Sequence, residues 1–232
     1  MISQTIRDGS WDSFDAYLFD IDGTLLHCSD AIHYFAFCDA LQALSGRSLS
    51  LEGVTAHGNT DVGILRDALS LAGVAESEWR ARLTEIRTKM CRFVETRKDE
   101  LCATALPCVP KVLAHLESKG ATLGIVTGNL REIGRIKLQC AGLLNYFNVF
   151  GWSDNFEYRV DVLRSAVDQI RAVMPLTAKI CAVGDTPADV LAARANGLPV
   201  IAVATGVYSR EQLLLEEPDL CLRLFEDLFR AS

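Results

Sequence analysis

The chain is predicted to be α/β: a Rossmann-like parallel sheet with helices on both faces, plus an inserted all-helical cap domain. Two observations carry that expectation. Short, wholly apolar runs alternate with helical patterns, as strands buried on both sides of a parallel sheet do. Between residues 26 and 103 the alternation stops and helical periodicity dominates, so a helical segment interrupts the sheet domain after its first strand.

The elements follow in order. Residues 16–19 (AYLF) form the first run and lead into Asp20. Residues 61–72 and 76–98 are the clearest helical stretches of the insert. In the second, Trp79, Leu83, Ile86, Met90 and Phe93 recur at three- and four-residue spacing among Arg, Glu and Lys, an amphipathic pattern. Helices are expected over 110–119 and 131–141, with strands at 121–126 (ATLGIV), 148–150 (NVF), 179–183 (KICAV) and 199–204 (PVIAVA). Thr186-Pro187 reads as a helix start, since proline suits the first turn. The division expected is residues 1–25 and 104–232 for the α/β core and 26–103 for the cap.

Bulk properties narrow the function classes. The chain has 232 residues and 23 basic against 30 acidic side chains, a formal charge of −7. With no dense Lys/Arg stripe, such a surface repels phosphate backbones, so no nucleic-acid partner is expected. Met1 to Ser10 (MISQTIRDGS) is polar and no apolar stretch nears the roughly 20 residues that span a bilayer, so neither a signal peptide nor a membrane partner is expected. Eight cysteines without a C-x-x-C pair, several in apolar surroundings, read as reduced and buried in a cytoplasmic protein.

In open parallel sheets chemistry lies beyond the carboxyl ends of the strands. Three such ends stand out: Asp20-Ile21-Asp22-Gly23-Thr24, Thr127-Gly128-Asn129, and Gly184-Asp185-Thr186-Pro187-Ala188-Asp189. Asp20 and Asp22, two apart, leave a strand on the same side, and Asp185 adds a third carboxylate. Carboxylates so close repel unless a cation intervenes, and Mg²⁺ suits a few oxygen ligands plus a substrate phosphate. One carboxylate can then attack phosphorus while the other handles protons. The Gly23 and Gly128 amides can approach a phosphate oxygen, Thr127 can add a hydroxyl, and Asn129, in the same turn, is expected to contact the substrate. A D-x-D-G alone could be a calcium loop, but an EF-hand carries a third acidic or Asn position before its glycine, and this segment follows a buried strand.

These motifs resemble the haloacid dehalogenase-like hydrolase superfamily, in its phosphoglycolate phosphatase-like branch with a helical cap, over about residues 14–228. The resemblance implies Asp20 as nucleophile and Asp22 as general acid and then base. It also implies Mg²⁺ held by Asp20, Asp185 and the main-chain oxygen of Asp22 with support from Asp189, and phosphoryl binding by Thr127 and Gly128. Asp22 favours phosphate esters over halides, because an alkoxide needs a proton on leaving and a halide does not. The family's usual Lys before the Gly-Asp motif is missing. Arg159 is the candidate substitute, ahead of Lys137, which sits within an amphipathic helix, and Lys179, which begins a strand. Gly58 and Thr60, in His57-Gly58-Asn59-Thr60-Asp61, resemble a cap loop that touches substrate, although Thr60 or Asn59 can equally cap the following helix. His27 and His33 follow the first strand but read more readily as structural. The expected substrate is a small phosphorylated metabolite, phosphoglycolate by default of the branch. A phosphomutase would show a bisphosphate requirement, and a non-catalytic binding protein would keep its function after Asp20→Asn.

Overall fold

A computed structural model describes residues 6, 11–47 and 49–229. The N-terminal stretch judged not to be a signal peptide therefore lies, except for Ile6, outside the described residues. Six strands form one parallel sheet: β1 (Ala16–Phe19), β4 (Thr122–Val126), β5 (Val149–Gly151), β6 (Ile180–Gly184), β7 (Val200–Val203) and β8 (Leu220–Leu222), in the order β5-β4-β1-β6-β7-β8. β8 went unread from sequence; Leu220-Cys221-Leu222 is short and only partly buried at the sheet edge, so it lacks the apolar signature of the inner strands.

The period-2 alternation of strand side chains builds two cores. Tyr17 and Phe19 of β1, with Leu123, Ile125, Cys181, Val183 and Ile201, belong to one cluster; α4 (Val109–Ser118) and α5 (Arg131–Cys140) cover it. Ala16 and Leu18, with Ile180, Ala182, Val200 and Ala202, belong to the other, with α6 (Arg159–Val173) and α7 (Pro187–Ala195). Helices thus lie on both faces. α7 starts where its sequence signals it: the Thr186 side chain accepts from the Asp189 amide, Asp189 accepts from the Thr186 amide, and Pro187 follows the cap.

Between β1 and α4 the chain leaves the sheet. β2 (Leu26–Cys28) pairs antiparallel with β3 (Ala103–Ala105), and α1 (Ile32–Ser45), α2 (Asp61–Leu71) and α3 (Glu76–Glu95) lie between them. The expectation of an all-helical segment is corrected here, because each end of it is a strand. Three-residue strands paired across more than 70 residues leave no local periodicity to read. In α3, Trp79, Ile86 and Met90 are buried as the stripe predicts, while Leu83 and Phe93 are half-buried and Val94 takes the last inward position. The helix stops at Glu95 rather than running to 98, where the chain tightens into a 3₁₀ turn (Lys98–Glu100). Of the eight cysteines only Cys181 is fully buried; Cys102 and Cys140 are exposed, which corrects the expectation of a uniformly buried set.

Candidate active site

The sheet order places β1 between β4 and β6, so Asp20, Thr127 and Asp185 leave adjacent strands at one edge. With them, Asp22, Gly58, Gly128, Asn129 and Arg159 line a cavity of about 360 Å³ closed on its far side by the inserted helices.

Asp20 is buried, and Arg159 Nη2 lies 2.6 Å from its Oδ1 and 2.6 Å from Asp189 Oδ1. Arg159, the first residue of α6, thereby reaches the strand end that carries Asp20, from the stretch in which the family's usual Lys is absent. Burial pushes Asp20 up to about 6, against the pull of Arg159 and with the charges of Asp189 and Asp22 adding to the rise. Burial likewise pushes Asp185 well above the ordinary carboxylate range, reinforced by Asp20 and Asp189; its Oδ1 accepts 2.8 Å from Thr24 Oγ1. Oxygens of Asp20, Asp185 and Asp189 all lie within 4.8 Å of one another. Three buried carboxylates face one guanidinium, an imbalance that a hard divalent cation corrects, so the donor set fits Mg²⁺. Asp189 Oδ2 is already held by the Thr186 amide at 3.0 Å and hydroxyl at 2.7 Å, which suits Asp189 to support of the site.

Asp22 stands apart from that cluster. Lys137 Nζ donates to its Oδ1 at 2.8 Å and Oδ2 at 2.9 Å, and Asn129 Nδ2 to Oδ2 at 2.7 Å. Burial opposes ionisation of Asp22, but the charge and hydrogen bonds of Lys137 and the bond from Asn129 outweigh it and hold the carboxyl below its usual range. Asn129 is locked in the same network, its Oδ1 accepting from Lys137 at 2.8 Å and its Nδ2 donating to Thr127 Oγ1 at 2.7 Å. Asn129 therefore positions Asp22, a different task from the substrate contact expected. Thr127 accepts through its oxygen and keeps its hydroxyl hydrogen to donate. The amides of Ile21, Asp22 and Gly128 donate to no group among the described residues, leaving them available to an oxyanion.

Two sequence assignments change. The Gly23 amide donates to the Leu26 carbonyl at 2.9 Å, so it is not free for phosphate. With φ at +82° and Asp185 Oδ2 where a Cβ would sit, Gly23 instead makes room for that carboxylate, as does Gly206. Thr60 is fully buried: its hydroxyl accepts from the Gly63 amide at 2.9 Å and donates to the Glu157 carbonyl at 2.8 Å. Capping α2 and tying it to the core uses both functions, and Thr60 does not reach the cavity. Gly58 does reach it, packed against Thr186 and Ala188.

Sequence reasoning undervalued two residues. Lys137 is buried on the inward face of α5, four residues after buried Ile133, and its pairing with Asp22 is the reason. A lysine at i+4 from a core isoleucine was the available signal. His33, on α1, lines the cavity; Lys137 Nζ lies 3.1 Å from its Nδ1, and its Nε2 lies 3.2 Å from Asp61 Oδ2. Since an ammonium can only donate, Nδ1 accepts and the proton sits on Nε2, facing Asp61. Asp61 Oδ2 also accepts from the Leu130 amide at 2.8 Å, and the Asp61 amide donates to Gly128 O at 2.7 Å. The inserted helices are thus hydrogen-bonded to the very turns that carry the strand-end residues.

Comparison with known proteins agrees with this arrangement. The model of the haloacid dehalogenase-like hydrolases matches residues 14–197. The probable phosphatase IndB of Dickeya dadantii is 26% identical over 219 residues, 93% of this chain and 92% of that protein. A phosphoglycolate phosphatase of Pectobacterium atrosepticum is 27% identical over 214 residues, 90% of this chain and 88% of that protein. The crystal structure of CbbY from Rhodobacter sphaeroides in complex with phosphate shares the fold, with a TM-score of 0.71 at 19% identity over 93% of this chain and 96% of that one. The strand-end motifs, the sheet order and the family match agree: the chain belongs to the haloacid dehalogenase-like hydrolases.

Proposed function

We propose that the chain is a Mg²⁺-dependent phosphatase that hydrolyses a small phosphate monoester through an aspartyl-phosphate on Asp20. The observation that carries this reading is the pairing of two differently held carboxylates at one cavity. Asp20 is buried against Arg159 beside Asp185 and Asp189, whereas Asp22 is ion-paired with Lys137.

An oxygen of Asp20 attacks phosphorus, and the bond from phosphorus to the leaving alcohol breaks as Asp22, entering this step in its protonated form, gives its proton to the alcohol oxygen. Asp22, ionised again and favoured in that form by Lys137, takes a proton from water as the water attacks the aspartyl-phosphate, freeing inorganic phosphate and regenerating Asp20. Arg159 offsets the charge of Asp20 as the anionic ester approaches, and Thr127 with the free amides of the β1 and β4 turns binds the phosphoryl oxygens. Asp20, Asp185 and the main-chain oxygen of Asp22 would hold Mg²⁺, with Asp189 in support; the ion would supply charge neutralisation at the phosphoryl group. Residues 26–103 serve as the cap that excludes water, with 1–25 and 104–232 as the catalytic core.

The test is release of inorganic phosphate from a panel of monoesters, with and without Mg²⁺, beside Asp20→Asn. Mg²⁺-dependent turnover that the substitution abolishes in a folded protein supports the reading. Turnover that survives Asp20→Asn refutes it.

A further inference from the structure

We infer that the leaving group of the substrate is an uncharged, largely apolar alcohol. This rests on the phosphatase reading and specifies the class of ester that the site accepts.

The inference comes from what faces the phosphoryl end across the cavity. Tyr34 and Phe37 on α1, Ile64 on α2, and Leu51, Ala56 and Cys28 form that wall. His33 stacks on Phe37 with ring centres 5.0 Å apart and continues the aromatic surface. Among the described residues lining the cavity the only Lys or Arg are Lys137 and Arg159. Both are spent: Lys137 on both oxygens of Asp22, on Asn129 and on His33, and Arg159 on Asp20 and Asp189. The insert contributes a negative charge, Asp61, the imidazoles of His33 and His57 and the amide of Asn59, but no Lys or Arg. The arginines of α2 and α3 nearest the core, Arg66 and Arg80, are paired with Glu157 and do not line the cavity.

A second anionic group, whether the carboxylate of phosphoglycolate or the second phosphate of pyrophosphate, would therefore lie among mostly apolar side chains and Asp61, with no further Lys or Arg to pair it. An anion stripped of water with no counter-charge is strongly disfavoured. An alkyl or aryl body gains there, by about 0.8 kcal/mol per buried methylene, roughly fourfold in affinity.

The decisive comparison uses matched esters on the full chain with saturating Mg²⁺. Phosphoglycolate is set against its neutral isostere, glycolamide phosphate, and against propyl phosphate, phenyl phosphate and pyrophosphate, by kcat/KM. The expected result is phenyl and propyl phosphate best, and glycolamide phosphate at least about tenfold above phosphoglycolate. A cation added to the wall should narrow that last gap. Tyr34 is 44% exposed and bears on no catalytic group, so Tyr34→Lys should fold and raise phosphoglycolate relative to glycolamide phosphate by about tenfold. Phosphoglycolate or pyrophosphate outrunning the neutral esters in the unsubstituted protein would overturn the inference while leaving the phosphatase reading intact. Absence of Asp20-dependent turnover on every ester would remove both.

Discussion

Replacing Lys137 by Met tests whether a buried ammonium on α5 sets the state of Asp22. Methionine is close to lysine in length, so the change removes charge and donors while leaving little cavity. Lys137 Nζ donates to both Asp22 oxygens and to Asn129 Oδ1, and it faces His33 Nδ1. Without it, two buried or half-buried acceptors lose their donor at about 1 kcal/mol each. The lost ion pair adds about 1 kcal/mol, discounted because the Asp22 side chain is 41% exposed although Lys137 is only 4% exposed. The expected loss of stability is thus about 3 kcal/mol near neutral pH, read from urea unfolding of the metal-free protein. The sign with pH is fixed: a carboxyl held below its ordinary 3.8 in the folded state stabilises above that value. That contribution is lost as the pH falls through the lowered value, so the ion-pair part of the gap between the two proteins should close on acidification. In turnover, the basic limb of the pH–rate profile should move to higher pH, since Asp22 then keeps the proton it gives to the leaving group up to a higher pH. Equal stabilities at neutral pH, with superimposed pH–rate profiles, would refute the role given to Lys137.

Other outcomes follow from the same geometry. Arg159→Ala should cut kcat/KM at least about tenfold, a loss of about 1.4 kcal/mol of transition-state stabilisation, measured by steady-state phosphate release. Because burial raises Asp20 to about 6 and Asp185 well above 3.8, both favour their neutral forms in the metal-free fold. The Asp20 contribution is full below about pH 4 and is lost as the pH rises through about 6, and that of Asp185 is lost above its ordinary range; accordingly the rise in Tm on adding Mg²⁺ should be large at pH 7 and small at pH 5, by thermal melts. Gly128→Ala puts a methyl group onto the Asn59 carbonyl oxygen, so the insert must retreat and strain the bond from the Asp61 amide to the Gly128 carbonyl; KM should rise at least about tenfold and Tm should fall, by steady-state kinetics and thermal melts.

Much of the sheet was readable because its inner strands are buried on both faces and therefore wholly apolar, and the aspartates sit where those runs break. Arg159 could be singled out by where the usual Lys is absent. The remainder depended on contacts distant in sequence. Lys137 resembled any solvated lysine on an amphipathic helix until Asp22, 115 residues away, was folded against it. Gly23 looked like a phosphate-binding turn, but its positive φ and its nearness to Asp185 serve the carboxylate. Thr60 carried both a capping and a binding signature, and the contact with Glu157, 97 residues on, decides for the cap. β2 and β3 are too short to show a period at all.

The central claim is that Asp20 carries the phosphoryl group during turnover. The direct measurement is acid quench of the enzyme within a single turnover of a good ester and Mg²⁺, followed by peptide mass spectrometry. The account predicts a phosphoryl adduct on Asp20, formed and discharged at rates consistent with turnover, and no adduct on any residue in Asp20→Asn. Full-rate phosphate release with Asp20 never modified, or a kinetically competent adduct on another residue, would contradict it.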